Sequence, residues 1–178
     1  MKTSQQWWDE VKADQTKLIN WLTNQYHGEV TAAHRIVDLF FPLDNRYLYE
    51  EKQNLLKIVN EEIIHAHWVA ELLISRGVEP KTLSKKERYW ESVLKPAAIE
   101  EFQSLCAIGH LAESMRLERI KVIVDDKDTP EDIREVFAKI LPMELGHAKM
   151  FEDMSTIEDI ENARTNHDIG RNALGLVV

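Results

Sequence analysis

The sequence predicts an all-α protein: four long helices packed as a bundle of two antiparallel hairpins, joined by one long crossover link and followed by a short C-terminal helix. Three observations predict it. Turn formers are scarce, with 6 Gly and 5 Pro in 178 residues and no Asp-Gly hairpin signal. Long stretches are rich in Ala, Leu, Glu, Lys and Ile, which favours helix over strand. Apolar residues recur at spacings of three and four over four long windows, the period of one buried helix face. With 44% apolar residues the chain can build one continuous core, so a single domain over 1–178 is expected. The bundle covers about 14–154, and a C-terminal helix and tail cover 155–178.

The first helix runs from about Ser4 or Asp14 to Phe40, with Leu18, Leu22, Glu29, Ala33, Ile36 and Phe40 on one face and Pro42 as its stop. Gly28 lies inside it, at a cost of about 1 kcal/mol relative to Ala, so a bend or break near Glu29 is expected. The second spans about Tyr47 to Arg76, with Leu55, Ile58, Glu62, His65, Val69 and Leu72 inward and Gly77 as a C-terminal cap. The third follows Pro96 and turns Ile99, Phe102, Cys106, Gly109, Glu113, Leu117, Ile120 and Val124 to the core.

The fourth begins with Thr129 as N-cap and Pro130 as first helical residue, and carries Ile133, Phe137, Ile140, Glu144, His147, Phe151 and Met154 inward. Pro142 falls in its middle and removes a backbone hydrogen bond just before Glu144, where a kink is expected. Ser155 and Glu158 read as a capping box opening a short helix to about Arg164, with an extended tail over 166–178 that docks or supports a homodimer. The links between the first and second helices and between the third and fourth are short, which makes those pairs antiparallel neighbours. About 18 residues separate Gly77 from Pro96. At roughly 3.3 Å per residue they can cross the bundle even with a short helix over Lys85 to Leu94.

The net charge of −9 argues against a general nucleic-acid surface. Cys106 is the one cysteine, so there is no disulfide framework and no paired-cysteine metal site. No stretch approaches the roughly 20 apolar residues of a membrane span, and the N-terminus lacks a signal-peptide core. A soluble, cytoplasmic protein is expected.

The chemistry lies in a repeated pattern. One Glu-x-x-His carries no weight, since 20 Glu and 7 His in 178 residues yield about 0.8 such pairs by chance. Here Glu62-Ile-Ile-His65 and Glu144-Leu-Gly-His147 both sit at mid-length of a helix on its apolar stripe. Each is preceded by a lone inward Glu, Glu29 by 33 residues and Glu113 by 31. Four carboxylates buried in one layer cost many kcal/mol unless protons or metal neutralise them. Four carboxylates and two imidazoles suit two iron or manganese ions, or one of each. Taken singly, each residue is more readily an exposed helix residue or an ordinary buried histidine; the doubled hairpin is what the metal reading explains. Glu61, His110 and Arg116 are candidates for a supporting shell, with a solvated face, a buried histidine and a simple ion pair as the plainer readings. The tryptophans, including Trp7, Trp8, Trp21, Trp68 and Trp90, read as packing residues, and Lys85-Lys86-Glu87-Arg88 as a solvated turn.

The order Glu, Glu-x-x-His, Glu, Glu-x-x-His resembles the di-iron carboxylate branch of the ferritin-like superfamily over about Asp14 to Met154. Glu61-Glu62-Ile-Ile-His65 with Arg76-Gly77-Val78, and Glu113-Ser-Met-Arg116-Leu-Glu118-Arg119, also resemble the rubrerythrin-like proteins and the tRNA-modifying hydroxylases. Val69 stands where a radical-storing ribonucleotide reductase subunit carries Tyr, and the second His separates the chain from ferritin storage sites. The resemblance implies two irons held by Glu29, Glu62, His65, Glu113, Glu144 and His147. It also implies an oxidoreductase that activates O2 to oxidise or hydroxylate an organic substrate, with electrons from an external donor protein. Two alternatives stay open: a metal-handling or peroxide-scavenging protein without organic substrate, and a tRNA hydroxylase.

Overall fold

The computed structural model describes residues 2–43, 48–84, 88–94 and 101–175, and these hold seven α-helices and no strand. They are α1 (Ser4–Lys12), α2 (Gln15–Phe40), α3 (Tyr49–Ile74), α4 (Arg88–Val93), α5 (Phe102–Asp125), α6 (Glu131–Asp153) and α7 (Ile157–Ala173). A single 3-10 turn over Phe41–Leu43, containing Pro42, closes α2.

Asp14 decides where the first long helix begins. Its carboxylate accepts from the backbone N–H of Thr16 and Lys17, which caps α2 and separates it from α1. The short α1 has its own capping box, Thr3 with Gln6. The two starting points, Ser4 and Asp14, are therefore two helices. Gly28 causes no break, and α2 runs through it for 26 residues. The inward stripes of α3 and α6 are buried as expected, while on α5 the buried residue near the end is Ile123 rather than Val124. The helical twist over three turns moves the stripe by one position. Gly77, at φ 70°, makes the left-handed turn after α3.

Three expectations at the C-terminal side are corrected. Pro130 is the N-cap of α6 and not its first helical residue. Thr156, not Ser155, caps α7 by accepting from the N–H of Asp159. The last helix is not short: α7 continues past Arg164 to Ala173, so 166–173 is helical rather than extended. Buried His167 and Gly170 anchor that extra length against α4 and α5. Tyr47, Lys85 to Glu87, Pro96, Ile99 and the last residues 176–178 lie outside the described residues.

Two apolar clusters show how the long helices run. One joins Trp21 and Leu22 near the start of α2, Leu72 and Leu73 at the end of α3, Ile120 and Ile123 late in α5, and Ile133 and Phe137 early in α6. The other joins Ile36 and Phe40, Leu55 and Ile58, Phe102 and Cys106, and Phe151 and Met154, the opposite ends of the same helices. So α2 and α3 are antiparallel, as are α5 and α6. The chain between α3 and α5 passes from one cluster to the other, about 36 Å for a helix of 24 residues. Each large side chain fully buried in a cluster contributes roughly 1.5–3 kcal/mol. Trp8 closes the first cluster, packing edge-on to Trp21 while its indole N–H donates to Thr129 Oγ1 at 2.8 Å. The layer between the two clusters carries the polar residues.

Candidate metal centre

Glu29, Glu62, His65 and Glu144, from the middle turns of α2, α3 and α6, form one fully buried group. A ligand atom from each lies within 4.8 Å of the others. Nδ1 of His65 is 3.2 Å from Glu144 Oε1 and 3.9 Å from Glu29 Oε2. His147, also fully buried, stands at the edge of this group, its Nδ1 3.1 Å from Glu62 Oε1 and 3.3 Å from Glu144 Oε2. The i, i+3 spacing puts Glu144 and His147 on one face of α6, and the same spacing aligns Glu62 with His65 on α3. Glu113 on α5 is half-buried and lies outside the four-residue group, with its Oε2 buried.

Among the supporting candidates, Glu61 reaches across from α3, with Oε2 2.9 Å from Nε2 of His147. Arg116 enters the centre from α5. Its guanidinium pairs with Glu29 and lies 3.2 Å from Glu144 Oε1 and 3.6 Å from Glu62 Oε2. His110 is turned to α6, its Nδ1–H donating to the carbonyl of Ala148 at 2.9 Å.

Burial raises the carboxyl of Glu62 well above its ordinary range, reinforced by the charge of Glu144. Burial and Glu144 likewise push Glu113 up to about 8. Glu144 goes the other way: burial opposes ionisation, but Arg116, His147 and His65 hold it well below the usual carboxylate range. Burial alone would lower His147, yet its contacts with Glu144 and Glu62 raise it to about 11. Without metal, protons on Glu62, Glu113 and His147, together with Arg116, are what neutralise this layer.

Hydrogen bonding within the layer is incomplete. Glu29 Oε2, both oxygens of Glu62 and of Glu144, both nitrogens of His65, Glu113 Oε2 and His147 Nδ1 are buried without a hydrogen bond of good geometry among the described residues. Those with no ion-pair contact either, such as Nε2 of His65, cost roughly 1–3 kcal/mol each. Packing does not explain the retention of so many in one place, whereas oxygen and imidazole donors facing one point fit a divalent cation.

A cavity of about 340 Å³ adjoins the centre between α2, α5 and the α4–α7 pair, with Glu113 and Arg116 on its inner wall and exposed Asn24 at its rim. Tyr89 and Trp90 form part of the wall, and Tyr89 Oη shares a 2.7 Å hydrogen bond with Nδ1 of buried His167. Tyr89, Arg35 and Arg119, which also line this space, lie outside the repeated Glu and Glu-x-x-His pattern of the sequence. The signal available was on α5, where Glu113, Arg116 and Arg119 recur at a spacing of three.

Comparison with protein families, with curated proteins and with solved structures finds no match. Among the described residues, no helix is long and apolar enough to cross a membrane.

Proposed function

We propose that the chain is a ferritin-like four-helix protein whose central layer holds two iron ions and uses them to activate O2 for oxidation or hydroxylation of a small organic substrate. The observation that carries this reading is the set of unbonded, buried carboxylate and imidazole atoms in one layer. The clusters at opposite helix ends agree with two antiparallel hairpins joined by a crossover, the connectivity of that class. Glu29, Glu62, His65 and Glu144 would form the core of the ligand set, with His147 and Glu113 completing it. Iron bound there supplies electron transfer to O2, which no side chain of this protein offers.

The protein's own residues set the conditions. Glu61 accepts the Nε2 proton of His147 and so aims Nδ1 at Glu62 and Glu144. Arg116 compensates carboxylate charge from the cavity side. Ile36, Cys106, Ile140 and Phe151, all buried, keep water from the layer. With no paired cysteines and no dinucleotide-binding motif, the chain depends on an external electron donor. The cavity beside Glu113 favours the oxygenase reading over iron handling or peroxide removal, which need no room for an organic molecule. A tRNA hydroxylase needs a contiguous Lys/Arg rim at the mouth, and among the described residues the exposed Asn24 there is uncharged.

The test is anaerobic loading with Fe(II), exposure to air, and measurement of bound iron together with the optical spectrum. Two irons per chain and a new near-ultraviolet ligand-to-metal band support the reading. A chain that takes up no iron overturns it.

A further inference from the structure

The cavity inverts the charge of the molecule. The chain carries −9 overall, yet three of its nine arginines, Arg35, Arg116 and Arg119, line this one space, and Glu113 is the carboxylate among its described lining residues. Arg116 is engaged by Glu29, Glu62 and Glu144. Arg119 is not so engaged. Its Nε is buried without a hydrogen bond, and the carboxylate that acts on it, Glu118, does so only through its charge. The neighbouring Glu118 is instead held in a two-pronged contact by Arg171, at 2.9 and 3.2 Å. The Cζ of Arg119 lies over the Trp7 ring, 4.5 Å from its centroid, a contact that leaves the guanidinium without a direct carboxylate partner. Apart from the polar Asn24, Gln25 and His27, the rest of the wall is apolar or aromatic, including Trp21, Tyr89, Trp90 and Phe137.

We propose that this cavity binds a small aromatic carboxylate, its carboxylate taken by Arg119 and its flat apolar body by the walls of Trp21, Tyr89 and Trp90. A single guanidinium without a direct carboxylate partner matches a monoanion, and its fork of donors matches a carboxylate. A volume of 340 Å³ lies near the bottom of the range for small-molecule sites, about 300–1,000 Å³, which excludes long acyl chains and dinucleotides. Arg119 follows Arg116 by three residues, about 4.5 Å along the axis of α5, so a molecule anchored there extends toward Glu113 and the central layer. As the substrate class of the metal centre this rests on the function proposed above; as a binding site it stands on the cavity alone.

The test uses the full chain and 3-phenylpropionate, with 3-phenylpropionamide as the neutral probe of the same shape. Titration is followed by tryptophan fluorescence and calorimetry. The acid should bind saturably and the amide about tenfold or more weaker, because a charge-assisted pair is lost. Arg119→Gln should weaken the acid by a similar factor and leave the amide unchanged. Gly28→Leu is the second variant. Gly28 lines the cavity, and a Cβ there meets nothing within 4 Å, so the added side chain starts into open space and occupies the cavity. It should abolish binding of both probes in a protein that melts no lower than the parent. Equal binding of acid and amide, unchanged acid affinity in Arg119→Gln, or full binding in Gly28→Leu overturns the proposal. Iron uptake, measured in parallel, separates the two readings. Two irons with no acid binding overturns the carboxylate site alone, and acid binding with no iron supports the site and overturns the metal centre.

Discussion

Nε2 of His147 lies 2.9 Å from Oε2 of Glu61 on the facing helix, whereas Nε2 of His65 has no hydrogen-bond partner among the described residues. Glu61 directly precedes Glu62; the residue in the matching place before Glu144 is Met143, which carries only a weakly accepting sulfur. The two histidines of the repeated motif are therefore held unequally. Glu61→Ala should weaken the ion beside His147 about 10–100-fold, the usual effect of losing a carboxylate behind a ligand histidine, and leave the other ion little changed. Anaerobic Fe(II) titration should resolve into two phases in the variant. An unchanged titration would rule out the orienting role.

The metal-free protein should lose stability as pH rises from about 5 to 8. Glu113 has its folded value raised from 4.5 to about 8, so the folded state holds a proton that the unfolded chain releases. That contribution is complete below the unfolded value and is lost as pH rises through about 8. Glu62 is shifted in the same direction. His147, raised from 6.5 to about 11, extends the decline to higher pH. Glu144, held low, adds stability that is present above its unfolded value of 4.5 and is lost progressively as pH falls below it. Bound cations favour the ionised ligands, so the melting gap between iron-loaded and chelated protein should widen from about pH 5 to pH 8. Melting curves at three pH values check this, and a gap independent of pH would contradict it.

Arg116→Met removes the cation that faces Glu29, Glu62 and Glu144. Breaking a buried pair by deleting one partner costs about 3–5 kcal/mol, because the remaining charge is left uncompensated. Part of this should be absent once divalent ions neutralise the same carboxylates. The variant should melt well below the parent when chelated and gain more than the parent from iron. Equal losses in both forms would mean that Arg116 and the cations do not serve the same charges.

Two glycines should respond in opposite directions to alanine. A Cβ on Gly170 would lie 2.6 Å from the Tyr89 ring, whereas a Cβ on Gly28 meets nothing within 4 Å. Gly170→Ala should cost about 1–3 kcal/mol through overpacking of α7 against α4. Gly28→Ala should add about 0.5–1 kcal/mol by restricting the unfolded chain in a helix interior. Denaturant melts of the two variants give both signs, and a neutral Gly170→Ala would contradict the close α7–α4 contact.

The helical period alone located the buried faces of α3 and α6, because Glu62, His65, Glu144 and His147 interrupt otherwise apolar stripes and all four are fully buried. Glu29 was legible for the same reason. What the period could not carry was tertiary. The length of α7 depends on Gly170 and His167 packing beside Tyr89, a contact spanning about 80 residues in a segment with little apolar pattern of its own. The break between α1 and α2 rests on the side chain of Asp14, whose capping competes with an uninterrupted helix. Glu61 and Arg116 were visible as charged residues, but only the packing of α3 on α6 and of α5 on the central layer turns one toward His147 and the other into the carboxylates.

The central claim is that six side chains in one layer hold two metal ions, and stoichiometric binding of Fe(II) under anaerobic conditions tests it most directly. The parent and His67→Ala, in which an exposed histidine is changed, should bind two ions per chain, while Glu62→Ala and His147→Ala should each lose at least one. Equal iron content in all four proteins, or none in the parent, would contradict the account.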